Sequence, residues 1–322
     1  QRVMIFAGGT FGVPAILVRE TLKALSARTD MKLVAICSPE VPTLADTLSG
    51  YFKDRMRAAT RKLFDPMRKH GQTFPPPLAP SLLAQKHGFE WLSPPEGDIN
   101  HPDFIADIGN RVRPDIALSF YWLQKFSLDL LRVFHQAVNY HNGLLPDHRG
   151  MKATAWSVYE GEDETGFTFH RMTEKLDGGP ILLAGTIPVR NGHAAGDLDL
   201  VKASAAAKSV ARLLSMLVEK HPGIEQETGG VFHSHKDYLE ILTIDDPASV
   251  SHEEINRRLR AFGRLKIRVG HSWYDVTKVS KMTKADRPGK GISFRTSDGV
   301  DLRVLRIRHL PCGLYKIVFS RK

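Results

Sequence analysis

The stretch of this sequence whose residue types promise chemistry is Asn139-Tyr140-His141. Side chains two positions apart on an extended strand point to the same side, so Asn139 and His141 project together while Val138 and Tyr140 face the other way. Farther on, Lys175-Leu176-Asp177-Gly178-Gly179-Pro180 sets one carboxylate in a turn just ahead of an apolar run. An amide, an imidazole and a carboxylate together suit acyl transfer to an amine. The amide donates to the oxyanion of a tetrahedral intermediate. The imidazole moves a proton between attacking and leaving nitrogens. The carboxylate orients the ring and stabilises its protonated form. On residue types alone, a buried structural Asn–His pair is the commoner outcome.

The elements around these residues read as a parallel sheet. Arg2–Ala7 is a short apolar run that ends in Gly8-Gly9-Thr10-Phe11-Gly12, and Val18, Leu22 and Leu25 then recur at helical spacing. Lys32–Ser38 gives a second strand, which makes a βαβ unit with a crossover helix. Strands are expected again at Asp115–Ser119, Ala137–His141, Thr165–Arg171 and Ile181–Val189, with helices over Ser127–Phe134 and Leu200–Lys220. Asn139 and His141 thus fall at the carboxyl end of a strand, where open α/β sheets place their ligands. The stretch 41–82 reads as a long loop or broken helix, and 221–250 as a linker with small local structure. Ser251-His252-Glu253-Glu254 reads as a capping box that opens a helix with the apolar stripe Ile255, Leu259, Phe262. Alternation around Ser297-Asp298-Gly299 signals a hairpin, Leu314–Phe319 gives one more strand, and a small β-barrel is the natural closed form of that tail.

A chain of 322 residues suggests about two domains. They are expected at 1–230, a doubly wound, mostly parallel α/β domain, and at 245–322, a smaller β-barrel-like one. The 42% hydrophobic and 25% charged content excludes disordered, collagen-like and disulfide-scaffold classes. No run approaches the ~18 apolar residues of a membrane span, and the opening apolar stretch is too short for a signal peptide. Cys37 and Cys312 stand far apart and suit a reducing compartment, so the cytoplasm is expected. The net charge of +10 is unevenly placed: residues 1–240 carry 27 basic and 27 acidic side chains, residues 241–322 carry 18 and 8. Such a field favours polyanionic partners such as RNA or nucleotide phosphates, or is simply a solvated face. A second basic run spans Lys53 to Lys69.

Weaker signals read as follows. The glycines at 8, 9 and 12 are wrongly spaced for a dinucleotide fingerprint and mark a tight first turn. His233-Ser234-His235 lacks companions at metal-ligand spacing and reads as an exposed loop, so no metal is expected. Tyr121 and Trp122 either stack on a ligand ring or pack at a strand end. Arg149 either touches a phosphate or ties down its loop, while Asp147 and His148 flank the site.

Three blocks carry a resemblance: Asn139-x-His141-x-x-Leu144-Leu145-Pro146-x-x-Arg149-Gly150, then Gly161-Glu162-x-x-Thr165-Gly166-x-Thr168-x-His170, then Asp177-x-Gly179-Pro180-Ile181-Leu182. In this order they resemble the 10-formyltetrahydrofolate-dependent formyltransferases. That family includes methionyl-tRNA formyltransferase, glycinamide ribonucleotide formyltransferase and the amino-sugar formyltransferases. The resemblance implies a Rossmann-like catalytic domain in which Asn139, His141 and Asp177 are the catalytic amide, imidazole and carboxylate. It also implies 10-formyltetrahydrofolate as formyl donor, bound beside Tyr121, Leu144, Leu145, Pro146 and Gly179. Gly143 stands where family members usually have Ser, and Gly178 where a Thr often follows the acid.

The acceptor is pointed at from two directions. Asn100-His101-Pro102, Ser119-Phe120-Tyr121 and Thr168-x-His170-Arg171-Met172 are similar to enzymes that act on nucleotide-linked 4-amino sugars, whereas the opening Phe6–Ala15 looks more like the tRNA enzymes. The expected partner is a small amine on a nucleotide-linked sugar. The alternatives are methionyl-tRNA held by the basic tail, another small amine such as a hydroxyornithine, and water, which would make the protein a hydrolase.

Overall fold

The structure, a computed structural model, describes residues 1–10, 12–39, 78, 80–190, 192–282 and 292–307. The basic run 53–69, Phe11, Cys312 and the expected strand 314–319 lie outside the described residues. Two compact units are present. One comprises Gln1–Gly150, Thr165–Ile187 and Asp199–Phe232; the other comprises Met151–Glu164, Pro188–Leu198 and the described residues from His233 onward.

The first unit is built on a seven-stranded sheet. In chain order its strands are β1 (Arg2–Ala7), β2 (Lys32–Cys37), β3 (Glu90–Leu92), β4 (Ile116–Phe120), β5 (Gln136–His141), β6 (Glu164–Arg171) and β7 (Ile181–Pro188), and in space they run β3-β2-β1-β4-β5-β6-β7. The pairs from β3 through β5 are parallel, and β6 lies antiparallel to β5. Strands buried on both faces read as near-continuous apolar runs, as Val3 to Ala7 do, all fully buried.

Helices α1 (Gly12–Ser26) and α5 (Ala195–Val218) supply Leu17, Val18, Leu213, Leu214 and Leu217 to the core on one face. Burying each of these side chains stabilises the fold by roughly 1.5–3 kcal/mol. Phe104 of the short helix α3 (Pro102–Asp107) and Leu130 of α4 (Leu128–Arg132) join Met4, Phe6 and Phe126 in the core on the other face; α2 (Pro80–His87) precedes β3. Sheet register decides where the polar groups go. Val138 and Tyr140 of β5 lie in the first core, so Asn139 and His141 belong to the opposite face.

Gly8 follows β1 where the turn grazes β4. Its N–H donates to the Phe120 carbonyl at 3.0 Å, and a Cβ there would lie 1.9 Å from the Tyr121 carbonyl oxygen. Close backbone approach is therefore what this glycine supplies.

The second unit holds a five-stranded sheet in the spatial order β8 (Thr243–Ile244), β9 (Leu265–Val269), β10 (Ser272–Lys281), β12 (Asp301–Ile307), β11 (Ser293–Arg295). The hairpin over residues 297–299 joins β11 to β12, as the alternation implied. Ile255, Leu265, Ile267, Val276 and Leu302 form its core. The Ser251 hydroxyl caps α6 (His252–Phe262) through the Glu254 N–H. The Glu254 carboxylate instead pairs with Arg257 and Arg258, so only half of the expected box forms.

Two expectations for 221–250 are corrected. His235–Leu242 is a helix with a complete capping box between Ser234 and Asp237. His233 is buried rather than in an exposed loop, its ring stacked on Trp156 at 4.1 Å and 6°.

Candidate active site

Register brings together two side chains that the sequence spaces 31 residues apart. Asn139 on β5 stands directly opposite His170 on the antiparallel β6, and His141 stands opposite Thr168. The Asn139 Nδ2 lies 3.2 Å from His170 Nε2, and His170 Nδ1 lies 2.9 Å from the Arg171 carbonyl. A carbonyl only accepts, so Nδ1 carries a hydrogen towards Arg171, while Nε2 faces both the Asn139 amide and the Asp177 carboxylate. The Asn139 contact fixes which way the amide points and leaves its second N–H free to donate.

Asp177 arrives from the turn before β7. Its φ of 50° is left-handed, a region that Asp visits more readily than most residues. Gln226 Nε2 pins that turn by donating to the carbonyls of Asp177 and Gly179 at 2.8 and 2.7 Å. The carboxylate accepts from the Gly150 N–H at 2.9 Å and lies 3.5 Å from His141 Nδ1 and 3.4 Å from His170 Nε2. All three ionisable groups are buried. The structure thus assembles Asn139, His141 and Asp177 in one cluster and adds His170. Its place in the Thr168-x-His170 block was visible, but its contacts depend on a strand pairing that sequence spacing does not reveal.

The electrostatics follow from this packing. Burial pushes the Asp177 carboxyl up, but His141, His170 and the Gly150 N–H outweigh it and hold the group down at about 2. His141 goes the other way: burial lowers its pKa, and the facing Asp177 charge only partly restores it. The neighbouring His170 and Lys202 lower it further, while the hydrogen bond to the His148 carbonyl raises it. At neutral pH the pair is therefore an ionised carboxylate beside a neutral imidazole, the state a general base requires. We expect NMR titration of the His141 ring to give a midpoint below its ordinary value of 6.5. A midpoint at or above 6.5 would show that burial does not dominate.

The loop after β5 is held by two polar side chains. Thr168 Oγ1 donates to the Gly143 carbonyl at 2.8 Å and accepts from the Leu145 N–H at 3.1 Å, with Leu145 buried and Leu144 and Pro146 half-buried. Arg149 ties the loop down: its guanidinium donates to the carbonyls of Gly229 and Gly230. His141 Nε2 lies 2.9 Å from the His148 carbonyl. Tyr121 follows β4 immediately, next to β5 in the sheet, and its hydroxyl donates to Asp199 at 3.2 Å. Trp122 packs edge-on against Phe6 at 5.9 Å. Gly179 passes so close to β6 that a Cβ would lie 2.1 Å from the Arg171 carbonyl oxygen. Tyr121, His148 and Asp177, all non-glycine, adopt positive φ around this one cluster, a concentration of local strain typical of functional sites.

Solved structures share this architecture. A 4-N formyltransferase from Francisella tularensis matches with a TM-score of 0.59 at 14% identity, over 86% of this chain and 97% of its own. An N-formyltransferase from Helicobacter canadensis, solved with folinic acid and dTDP-3-aminofucose, matches at 0.55 and 14% identity over 95% and 99%. Glycinamide ribonucleotide transformylase 1 from Symbiobacterium toebii matches at 0.51 and 16% identity over 70% and 93%. The family model described as formyl transferase matches residues 94–212, the segment that contains all four clustered side chains. Over those residues, the chain is similar to the formyltransferase family.

Proposed function

We propose that this protein moves the formyl group of 10-formyltetrahydrofolate to the primary amine of a nucleotide-linked amino sugar. The observation that carries the reading is the convergence of Asn139, His141 and Asp177 at the carboxyl end of β5. The amine nitrogen attacks the formyl carbon, and a tetrahedral intermediate forms with charge on its oxygen. The free N–H of Asn139 donates to that oxygen. His141 takes the proton lost by the amine and returns it to the folate nitrogen as the carbon–nitrogen bond to the donor breaks. Both ring nitrogens of His141 already face protein oxygens, so the ring must exchange its His148 contact for the substrate. Such hydrogen bonds commonly tighten only in the substrate complex. Asp177 stabilises the imidazolium that forms.

For the donor, the half-buried apolar groups Tyr121 and Leu144 and the adjoining Leu145 and Pro146 lie on neighbouring loops at the carboxyl edge of the sheet, where this class of sheet binds its ligands. The role of Gly179 is to let the Asp177 turn lie against β6. The Helicobacter canadensis protein, solved with a folate and a nucleotide-linked amino sugar, supports the choice of donor and acceptor. No described helix is long and apolar enough to cross a membrane, and we place the enzyme in the cytoplasm.

One observation favours a second acceptor, methionyl-tRNA. On the sheet of the second unit, which we read as barrel-like, Lys266 and Arg268 lie 4.7 and 5.9 Å from the centre of the Trp273 ring. Basic groups interleaved with an aromatic are the usual ingredients of a nucleic-acid surface.

The test is release of tetrahydrofolate from 10-formyltetrahydrofolate against a panel of nucleotide-linked amino sugars, hydroxyornithine, charged initiator tRNA and no amine. Mass spectrometry of the product reports the formyl group. Formylation of an amino sugar is the expected result. Release without amine would make the protein a hydrolase, and steeply salt-dependent formylation of tRNA would move the acceptor there.

A further inference from the structure

Behind the catalytic face, the same strand end is gripped by a second polar cluster. Lys202, on α5, is fully buried, a rare place for a lysine unless its ammonium is partnered. Its Nζ donates to the Asn142 carbonyl at 2.7 Å and reaches Thr165 Oγ1 on β6 at 3.4 Å. Asn142 is the residue immediately after His141. Its side chain is held as well: Oδ1 accepts from the Tyr140 hydroxyl at 2.8 Å, and Nδ2 donates to the Asp199 carboxylate. The other oxygen of Asp199 accepts from the Tyr121 hydroxyl. Asp199 and Lys202 are three residues apart on one helix and so share a face.

One helix face therefore holds both neighbours of His141, directly at Asn142 and through Asn142 at Tyr140, and also the residue that follows β4. Stability does not explain the choice of residues. Burying an ammonium or a carboxylate is costly, and apolar side chains of similar shape commonly serve a core equally well or better. What charged and polar groups supply here is direction. The Asn142 carbonyl accepts from the Lys202 ammonium, and that contact holds the backbone immediately after His141.

We propose that Lys202 and Asp199 are positioning residues for the transfer reaction, a clamp on α5 that aims His141 and Tyr121 into the site from behind. The inference rests on the formyl-transfer reading, and it adds two residues that touch neither donor nor acceptor. The groups that face His141 are Asp177 from the turn before β7, His170 from β6, the His148 carbonyl from the loop after β5, and Lys202 from α5. Of these, Lys202 opposes protonation of the ring.

The experiment compares wild type with Lys202→Met and Asp199→Asn, reading kcat, KM and the NMR titration of the His141 ring. Lys202→Met keeps the length of the chain but loses donor and charge. Its kcat falls about 10- to 100-fold with KM within about threefold, and its His141 midpoint moves to higher pH because a nearby positive charge is gone. Asp199→Asn, which is isosteric, loses about 10-fold in kcat. A folded Lys202→Met protein with unchanged kcat and an unmoved midpoint overturns the proposal. If circular dichroism shows that Lys202→Met does not fold, Asp199→Asn decides alone: a loss in kcat supports the clamp, and wild-type rates overturn it. The two readings fail separately. A wild type that formylates no amine on the panel sinks the function, whereas the titration reports on the clamp without any turnover.

Discussion

Replacing His141 by alanine lowers kcat by about 10²- to 10⁴-fold, the range for removing a general acid–base group, and leaves the fold and donor affinity near those of wild type. The neighbours of the ring explain why the damage stays local. Asp177 keeps the Gly150 N–H and His170 when His141 is gone, so the buried carboxylate is not orphaned. Val138 and Tyr140, which anchor β5 in the core, lie on the other face and are untouched. The loss belongs to the proton transfer, so single-turnover formyl transfer should slow as much as kcat does. Calorimetric titration with the donor should give a dissociation constant within about threefold of wild type, since the donor bed is attributed to Tyr121 and the 144–146 loop. Imidazole added to the buffer should restore part of the rate by entering the space left by the ring. A variant whose rate stays within threefold of wild type removes His141 from the mechanism.

Much of this site was legible in the sequence because its local parts obey local rules. The two-residue spacing of Asn139 and His141 on a strand needs no tertiary information, and the alternation with Val138 and Tyr140 already says which face each takes. The βαβ opening and the 297–299 hairpin were readable for the same reason. What stayed hidden depends on pairings between distant segments. His170 meets Asn139 only because β6 runs antiparallel to β5 in one register; a one-residue slip would turn His170 to the other face. Lys202 sits among alanines on α5, where a lysine is ordinarily assigned to the solvent side. Its burial follows from acceptors 60 and 37 residues earlier in the chain. Helix His235–Leu242 was overlooked for a simpler reason: Ser234 and Asp237 form a capping box in which Asp replaces the usual Glu or Gln. Arg149, readable either as a phosphate ligand or as a loop tie, is a tie because two glycine carbonyls 80 residues onward come within its reach.

Substituting Asp177 by asparagine separates charge from shape at the same cluster. Asparagine also tolerates the left-handed φ of 50° at this position, and its side-chain oxygen can still accept from the Gly150 N–H, so the turn should survive. What disappears is the negative charge beside His141. The imidazolium formed during transfer then stands buried without a counter-charge. The expected loss is about 10²- to 10⁴-fold in kcat, the upper figure being that of the serine-protease case in which the equivalent change also spoils the tautomer. The titration of His141 should move to still lower pH, because the charge that favours protonation has gone. Stability should respond in the opposite sense to acid. The folded-state pKa of Asp177, about 2, lies below the ordinary 3.8, so its contribution is fully present above about pH 4 and is lost as the pH falls towards 2. The contribution of Asp177 to wild-type stability should therefore fade between pH 5 and pH 3, as scanning calorimetry at the two pH values would show. A variant with unchanged kcat and an unmoved His141 titration would make the carboxylate a structural group, and the proton would then need another counter-charge than any side chain within reach of the His141 ring among the described residues.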